Sequence, residues 1–159
     1  MNAHYSAAPL GDAYTAHVDT FARDRLPPRE QWPEFRFDLP ELHYPPRLNC
    51  ASALLDEAIL EGHGARIALY SSSANWTYFE LLERANRIAN VLVRDLGVVP
   101  GNRVLLRGTN TPTLVASWLA VMKVGAIAVT TMPMLRAKEL IVIAERAQID
   151  HAICEARLV

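Results

Sequence analysis

Residues 104–131 constrain the fold more than any other stretch, because they spell out a strand, a tight turn, a helix and a second strand. Val104, Leu105 and Leu106 form a short apolar run that Gly108, Thr109, Asn110 and Thr111 break. Pro112 then takes a first helical position, where its missing N–H is harmless, with Asn110 or Thr111 as cap. Leu114, Val115, Trp118, Leu119, Val121 and Met122 recur at helical spacing, and Gly125 stands where helices commonly end in a left-handed residue. Residues 127–130 resume a β-branched run. Two strands joined by one helix run parallel, need a right-handed crossover and demand cover on both faces. The flanking sequence must therefore supply further strands and helices.

It does so in alternating order. Residues 49–60 read as an amphipathic helix with Ala53, Leu54, Ala58 and Ile59 on its apolar side, stopped by Gly62, His63 and Gly64. Residues 66–70 read as a strand that begins the sheet, 71–75 as a polar turn, and Trp76 and Thr77 as a short returning strand running directly into a helix. Thr77 and Glu80 make a T-x-x-E capping box, each side chain satisfying a backbone N–H of the other. From there Leu81, Leu82, Ala85, Ile88, Ala89, Leu92, Val93 and Leu96 keep one face apolar for about five turns, until Gly97. Val99, Pro100, Gly101 and Asn102 stand in the order of a type II turn. Beyond the central unit, Pro133 ends the pairing. Residues 137–147 then predict a helix with Leu140, Ile141, Ala144 and Ala147 inward, and 149–154 a further strand. The sequence ends at Val159 directly after that strand, where the alternation calls for more cover, so the expectation is the front part of a larger α/β domain.

The first 48 residues differ in character. Pro9, Pro27, Pro28, Pro33, Pro40, Pro45 and Pro46 limit regular structure to short pieces, of which a helix over 14–25 is the best. Trp32, Phe35, Phe37, Leu39, Leu42 and Tyr44 read as anchors by which an extended arm lies on the body. The chain thus divides into a Pro-rich, aromatic-anchored arm (1–48) and the first α/β part of a domain (49–159).

Composition narrows the partners. Acidic and basic residues intermix to a formal net charge of -1, leaving no electrostatic footprint for nucleic acid. The N-terminus lacks a signal pattern, and no apolar run approaches the roughly 18 residues of a membrane span. Cys50 and Cys154 fit no metal or redox spacing, which predicts buried thiols in a reducing compartment, the cytoplasm.

Candidate chemistry is sparse. The turn 108–111 could receive an anion on its backbone N–H groups, yet it lacks the G-x-x-x-x-G-K-[ST] spacing, and glycine with caps is what any tight βα turn requires. His4, His17, His43, His63 and His151 are scattered without ligand spacing. Met132 and Met134 flank Pro133 at a strand end, where open α/β sheets tend to form pockets, and read as packing residues. No serine sits in a G-x-S-x-G elbow, and neither cysteine has a helper base nearby.

Two blocks carry a resemblance. Trp76-Thr77-Tyr78-Phe79-Glu80-Leu81 resembles the early "(L/W)-(T/S)-Y-x-E-L" segment of the adenylate-forming superfamily of acyl- and aryl-CoA synthetases. Leu119-Ala120-Val121-Met122-Lys123-Val124-Gly125-Ala126 resembles its "L-A-x-x-K-x-G-A" segment, followed by Pro133 and Lys138-Glu139-Leu140. The correspondence runs in unbroken order over 49–154. The leader, with Leu26-Pro27-Pro28, Trp32-Pro33 and Phe37-Asp38-Leu39-Pro40, and residues 99–108 are most similar to the benzoate and 2-aminobenzoate CoA ligase branch.

The resemblance implies an α/β fold, part of the large N-terminal domain, with a mostly parallel sheet flanked by helices. It implies a two-step reaction in which a carboxylate and ATP give an acyl-adenylate and pyrophosphate, after which coenzyme A displaces AMP. ATP, Mg²⁺ and coenzyme A would serve the full-length parent, with an aromatic carboxylate as substrate. The rest of the N-terminal domain and a C-terminal domain would be its structural partners, and a homo-oligomer its possible assembly. The family's phosphate loop, acyl pocket, ribose-binding aspartate and catalytic lysine lie beyond the point matching Val159. No catalytic or metal residue is therefore assigned within the chain, which alone is expected to be inactive and not to bind ATP tightly. One contact remains. Some aryl-CoA ligases hold the ribose phosphate of coenzyme A with an arginine just after the proline matching Pro133; here that position is Met134, and Arg136 is the nearest guanidinium. Two other identities are compatible: the front of a medium- or long-chain fatty acyl-CoA synthetase, and a stand-alone, non-catalytic interaction module.

Overall fold

The computed structural model describes residues 16–34, 36–42, 44–45 and 47–159. Its elements are α1 (Phe21–Asp24), α2 (Cys50–Leu60), β1 (Ile67–Leu69), β2 (Trp76–Thr77), α3 (Tyr78–Arg94), β3 (Arg103–Arg107), α4 (Pro112–Lys123), β4 (Ile127–Thr131), α5 (Ala137–Ala147) and β5 (His151–Cys154). Single 3₁₀ turns lie at Arg29–Gln31, Pro40–Leu42 and Ala156–Leu158.

β3 lies between β4 and β5, and all three are parallel; Val104 pairs with Ala128 and His151, and Leu106 with Thr130 and Ile153. The chain steps outward from β3 to β4 through α4, then back past β3 to β5 through α5. Right-handed crossovers in opposite directions put the two helices on opposite faces. Side chains alternate along β3, so Val104 and Leu106 enter the core with Leu119 and Ala120 of α4. Arg103, Leu105 and Arg107 point toward α5. β1 and β2 do not begin this sheet; they form a separate antiparallel pair with a register shift between Ile67 and Leu69. Thr77 explains why β2 is so short, since it is already the N-cap of α3. Its Oγ1 accepts from the Glu80 N–H (3.3 Å), and Glu80 Oε2 accepts from the Thr77 N–H (2.8 Å), the box the sequence predicts.

The other caps fix how the helices pack. Thr111, rather than Asn110, caps α4 by accepting from the Leu114 N–H (3.2 Å). Asn49 serves two helices at once. Its Oδ1 accepts from the Ala51 and Ser52 amides at the start of α2, while its Nδ2 donates to Met122 O (3.3 Å) and Lys123 O (3.0 Å) at the end of α4. Lys123 Nζ then reaches Asp56 on α2 at 2.6 Å. Tied this way, α2 turns Ala51 and Leu55 (2% exposed) inward and leaves Leu54, expected on the apolar side, 55% exposed. Alanines at Ala85, Ala116 and Ala120, all fully buried, let α3 and α4 approach closely. Val93 and Leu96 at the far end of α3, Trp118 on α4 and Ile141 on α5 are exposed, so four positions read as inward face out. Cys50 is also exposed, as the first residue of α2, and Cys154 is half-buried, which corrects the expectation of buried thiols.

Among its described residues the arm is regular only in single turns. The predicted helix over 14–25 reduces to α1; its first positions, with Pro9, Phe35, His4, His43 and Pro46, lie outside the described residues. Leu39 and Tyr44 are exposed rather than anchored, whereas Trp32, Phe37 and Leu42 are half-buried. What ties the arm down comes earlier. The Val18 and Asp19 amides donate to Pro100 O (2.9 and 3.0 Å), and Asp19 Oδ2 accepts from Asn102 Nδ2 (2.9 Å) and Arg103 Nη1. The Arg103 guanidinium sits 4.5 Å above the Phe21 ring. Among the described residues no helix is long and apolar enough to cross a membrane.

Gly101 makes this docking possible. It sits at φ +93°, as the third residue of the type II turn must, and a Cβ there would lie 2.0 Å from Asp19 O. Gly101→Ala is expected to destabilise the chain by about 1–2 kcal/mol through the left-handed backbone alone. It should also lift the arm, read as faster tryptic cleavage after Arg23 and Arg25; cleavage at the wild-type rate would show that the arm is held elsewhere.

Candidate functional site

A cleft of about 400 Å³ opens at the C-terminal ends of β3 and β5, in front of the first turn of α4. Ligands of open α/β sheets collect at this edge. Trp76, Pro112, Leu114 and Ile153 give it apolar walls, and Thr109, Ser117 and Glu155 a polar rim, with Arg107 behind them. The Trp76 wall is fixed from outside by the Arg84 guanidinium, 4.2 Å from the ring centroid.

The turn that the sequence marks as a possible anion seat forms the rim, and it is already filled from within. The Thr109 N–H and Oγ1 both donate to Glu155 Oε2, at 3.0 and 2.9 Å. Arg157 pairs with the other Glu155 oxygen through Nε and donates from Nη2 to Thr109 Oγ1 (3.3 Å). The Thr109 backbone N–H, its hydroxyl and then Arg157 hold the Glu155 carboxyl below the usual glutamate range. Glu155 thus holds the turn through both of its carboxylate oxygens. The Ser117 hydroxyl, buried in α4, donates to Thr113 O (2.9 Å) within its own helix. The Thr109 amide, one of the N–H groups an anion could use at this turn, is given to Glu155.

Arg136, the sequence-derived candidate, lies elsewhere. It is exposed at the N-cap of α5, its backbone N–H donating to Glu139 Oε2 (3.0 Å), and it does not line the cleft. Met132 and Met134 beside it are 60% and 81% exposed, so neither packs as expected. His63 makes a local pair with Glu61 (3.6 Å), and His151 Nε2 lies 3.0 Å from Leu96 O. Among the described residues no group of His, Cys, Asp and Glu is placed to hold a metal ion. Sequence reasoning passed over Glu155, Lys123 with Asp56, and the two arginines of β3. Only the parallel register, in which Glu155 N donates to Arg107 O (2.8 Å), brings Glu155 beside Thr109. The arginines had a visible signal, charges at both ends of a central apolar strand.

The lowered Glu155 pKa carries a sign. A carboxylate more acidic in the folded chain adds stability above the ordinary glutamate range and loses it as pH falls through the lowered folded value. Glu155→Gln keeps an acceptor for the Thr109 amide but removes the charge. Its acid-unfolding curve, followed by tryptophan fluorescence and circular dichroism, is expected to be shallower than wild type below that range and destabilised above it. Superimposable curves would mean that the carboxylate contributes nothing.

Residues 56–159 match the sequence model of the family described as AMP-binding enzyme. The 3-hydroxybenzoate-CoA/4-hydroxybenzoate-CoA ligase of Thauera aromatica is 35% identical over 82 residues, which are 52% of this chain and 16% of that protein. The crystal structure of a benzoate CoA ligase from Burkholderia xenovorans LB400 superposes with a TM-score of 0.65 at 28% identity, over 70% of this chain and 22% of that one. The anthranilate CoA ligase AuaEII, solved with anthranoyl-AMP, gives a TM-score of 0.62 at 26% identity, over 67% and 20%. The chain therefore spans less than a quarter of the length of these relatives. Because the family match takes in the whole parallel sheet, both crossover helices and the cleft, the chain belongs to the AMP-binding family of adenylate-forming enzymes.

Proposed function

We propose that this chain is the N-terminal part of the large domain of a cytoplasmic, AMP-forming aryl-CoA ligase, joining benzoate or 2-aminobenzoate to coenzyme A at the expense of ATP with Mg²⁺. The observation that supports the aromatic reading is that the three relatives described above are ligases of hydroxybenzoate, benzoate and anthranilate, all carboxylates on a six-membered aromatic ring. The part played by these residues is to scaffold. β3, doubly paired and faced on both sides, holds α4 and α5 in place, and Asn49 and Lys123 lock α2 across the end of α4. With the Thr109 amide given to Glu155, the phosphates of ATP fall to residues outside this chain, so the chain alone is inactive.

Arg136 is the contact proposed within the chain, meeting the ribose phosphate of coenzyme A from the head of α5. A guanidinium offers phosphate two parallel N–H donors, and the first turn of the helix adds its own positive end.

One assay addresses the first reading. Carboxylate-dependent ATP–pyrophosphate exchange is expected at background for the purified chain, and well above it for the full-length ligase given benzoate or 2-aminobenzoate. Robust exchange by the chain overturns its inactivity, and a full-length enzyme that ignores both acids but activates fatty acids overturns the aromatic assignment. For the second, Arg136→Ala in the full-length ligase should raise the coenzyme A KM about tenfold, the equivalent of ~1.4 kcal/mol. An unchanged value removes Arg136 from the site.

A further inference from the structure

α5 is the only helix longer than one turn, among the described residues, with no buried side chain. Its inward residues Leu140, Ile143, Ala144 and Ala147 are only half-buried. Two arginines of β3, four residues apart and so on the same face of the strand, grip it instead. Arg103 donates from Nε to Ala147 O (2.8 Å) and from Nη2 to Gln148 O (2.8 Å), holding the last turn of the helix. Arg107 donates from Nη2 to Pro133 O (3.2 Å) and Leu135 O (2.9 Å), holding the loop that leads into the first turn.

The two clamps differ in their balance. Arg103, 6% exposed, has the Asp19 carboxylate against its charge. Arg107 has no carboxylate partner among the described ion pairs. Its terminal nitrogens meet three main-chain carbonyls, those of Pro133, Leu135 and Leu158, and its Nε is buried with no partner at all. An apolar side chain would avoid that unsatisfied N–H, so packing does not explain a guanidinium at this position. What the guanidinium adds is a planar fork that reaches two segments of main chain at once, a task a single ammonium performs poorly.

The loop transmits the grip. Leu135 N donates to Met132 O (3.2 Å), closing a tight turn, and the next amide, that of Arg136, is taken by Glu139. We propose that Arg107 is a positioning residue, fixing the turn 132–135 and with it the point from which Arg136 leaves the head of α5. Its functional consequence rests on the reading of Arg136 as the coenzyme A phosphate contact: Arg107 then governs the coenzyme A step without touching coenzyme A.

Two measurements test this. In the 159-residue chain, hydrogen exchange of the Leu135 and Arg136 amides is expected to speed about tenfold in Arg107→Met and less in Arg107→Lys, with α4 amides unchanged. In the full-length ligase, Arg107→Met should raise the coenzyme A KM about fivefold, a change several times larger than its effect on benzoate-dependent ATP–pyrophosphate exchange. Wild-type exchange at Leu135 and Arg136 overturns the proposal, as does an equal loss of both half-reactions, which is the mark of general damage. A coenzyme A KM raised by Arg136→Ala but not by Arg107→Met also overturns it. If Arg136→Ala itself has no effect, the coenzyme A reading has failed, and the exchange rates alone decide whether Arg107 holds the turn. Should Arg107→Met not fold, Arg107→Lys, which keeps the charge, carries both measurements, with an expected amide acceleration of about threefold.

Discussion

The structure depends on β3 being satisfied on every side. A central parallel strand must pair both edges and bury both faces, or leave backbone groups and apolar side chains in the wrong medium. Here the apolar middle of the strand serves the faces, and β4 and β5 serve the edges. The two ends are the weak points of so short a strand, and both carry arginine. Each guanidinium collects carbonyls that would otherwise be orphaned where a helix or loop ends: Ala147, Gln148 and Gly101 at one end, Pro133, Leu135 and Leu158 at the other. The ends of the central strand are thus finished by side chains rather than by further ladder.

The opposite faces of β3 are held by different physics. Toward α4 the contact is close-packed and alanine-rich, and the loss of water from Val104 and Leu106 supplies the driving force. Toward α5 the contact is polar and located at the ends. A helix held by its ends keeps its place along the strand yet leaves Ile141 and Val142 in solvent. This is the more exposed of the two attachments, and the turn with Met132, Met134 and Arg136 belongs to it.

Most of the fold was legible because its signals are local. Pro112, Gly101, Gly125, and the Thr77 and Glu80 pair each act within one turn of chain, and each falls where the spacing puts it. What the spacing does not carry is rotation and pairing. The stripe on α2 differs from the expected one because Asn49 answers to α4, over seventy residues away in sequence. β1 and β2 read like the start of the sheet, but nothing local says with whom a strand pairs. The same holds for the cleft: a glycine- and threonine-rich turn looks like an open anion seat until the register of β5 delivers Glu155 into it. The arm shows a further limit. Its aromatic residues suggested anchors, whereas a single aspartate and one ring docked against Arg103 do more of the holding.

The double role of Asn49 has a consequence for how the chain folds. Its amide joins positions 73 and 74 residues apart, with α3 and β3 in the intervening loop. Closing so long a loop costs more chain entropy than forming the local helices within it. Until Asn49 finds the end of α4, the first turn of α2 has its cap but no fixed seat. Once it does, the start of one helix and the finish of another rest on the same side chain. Losing that one side chain would therefore leave unsatisfied groups on two helices at once.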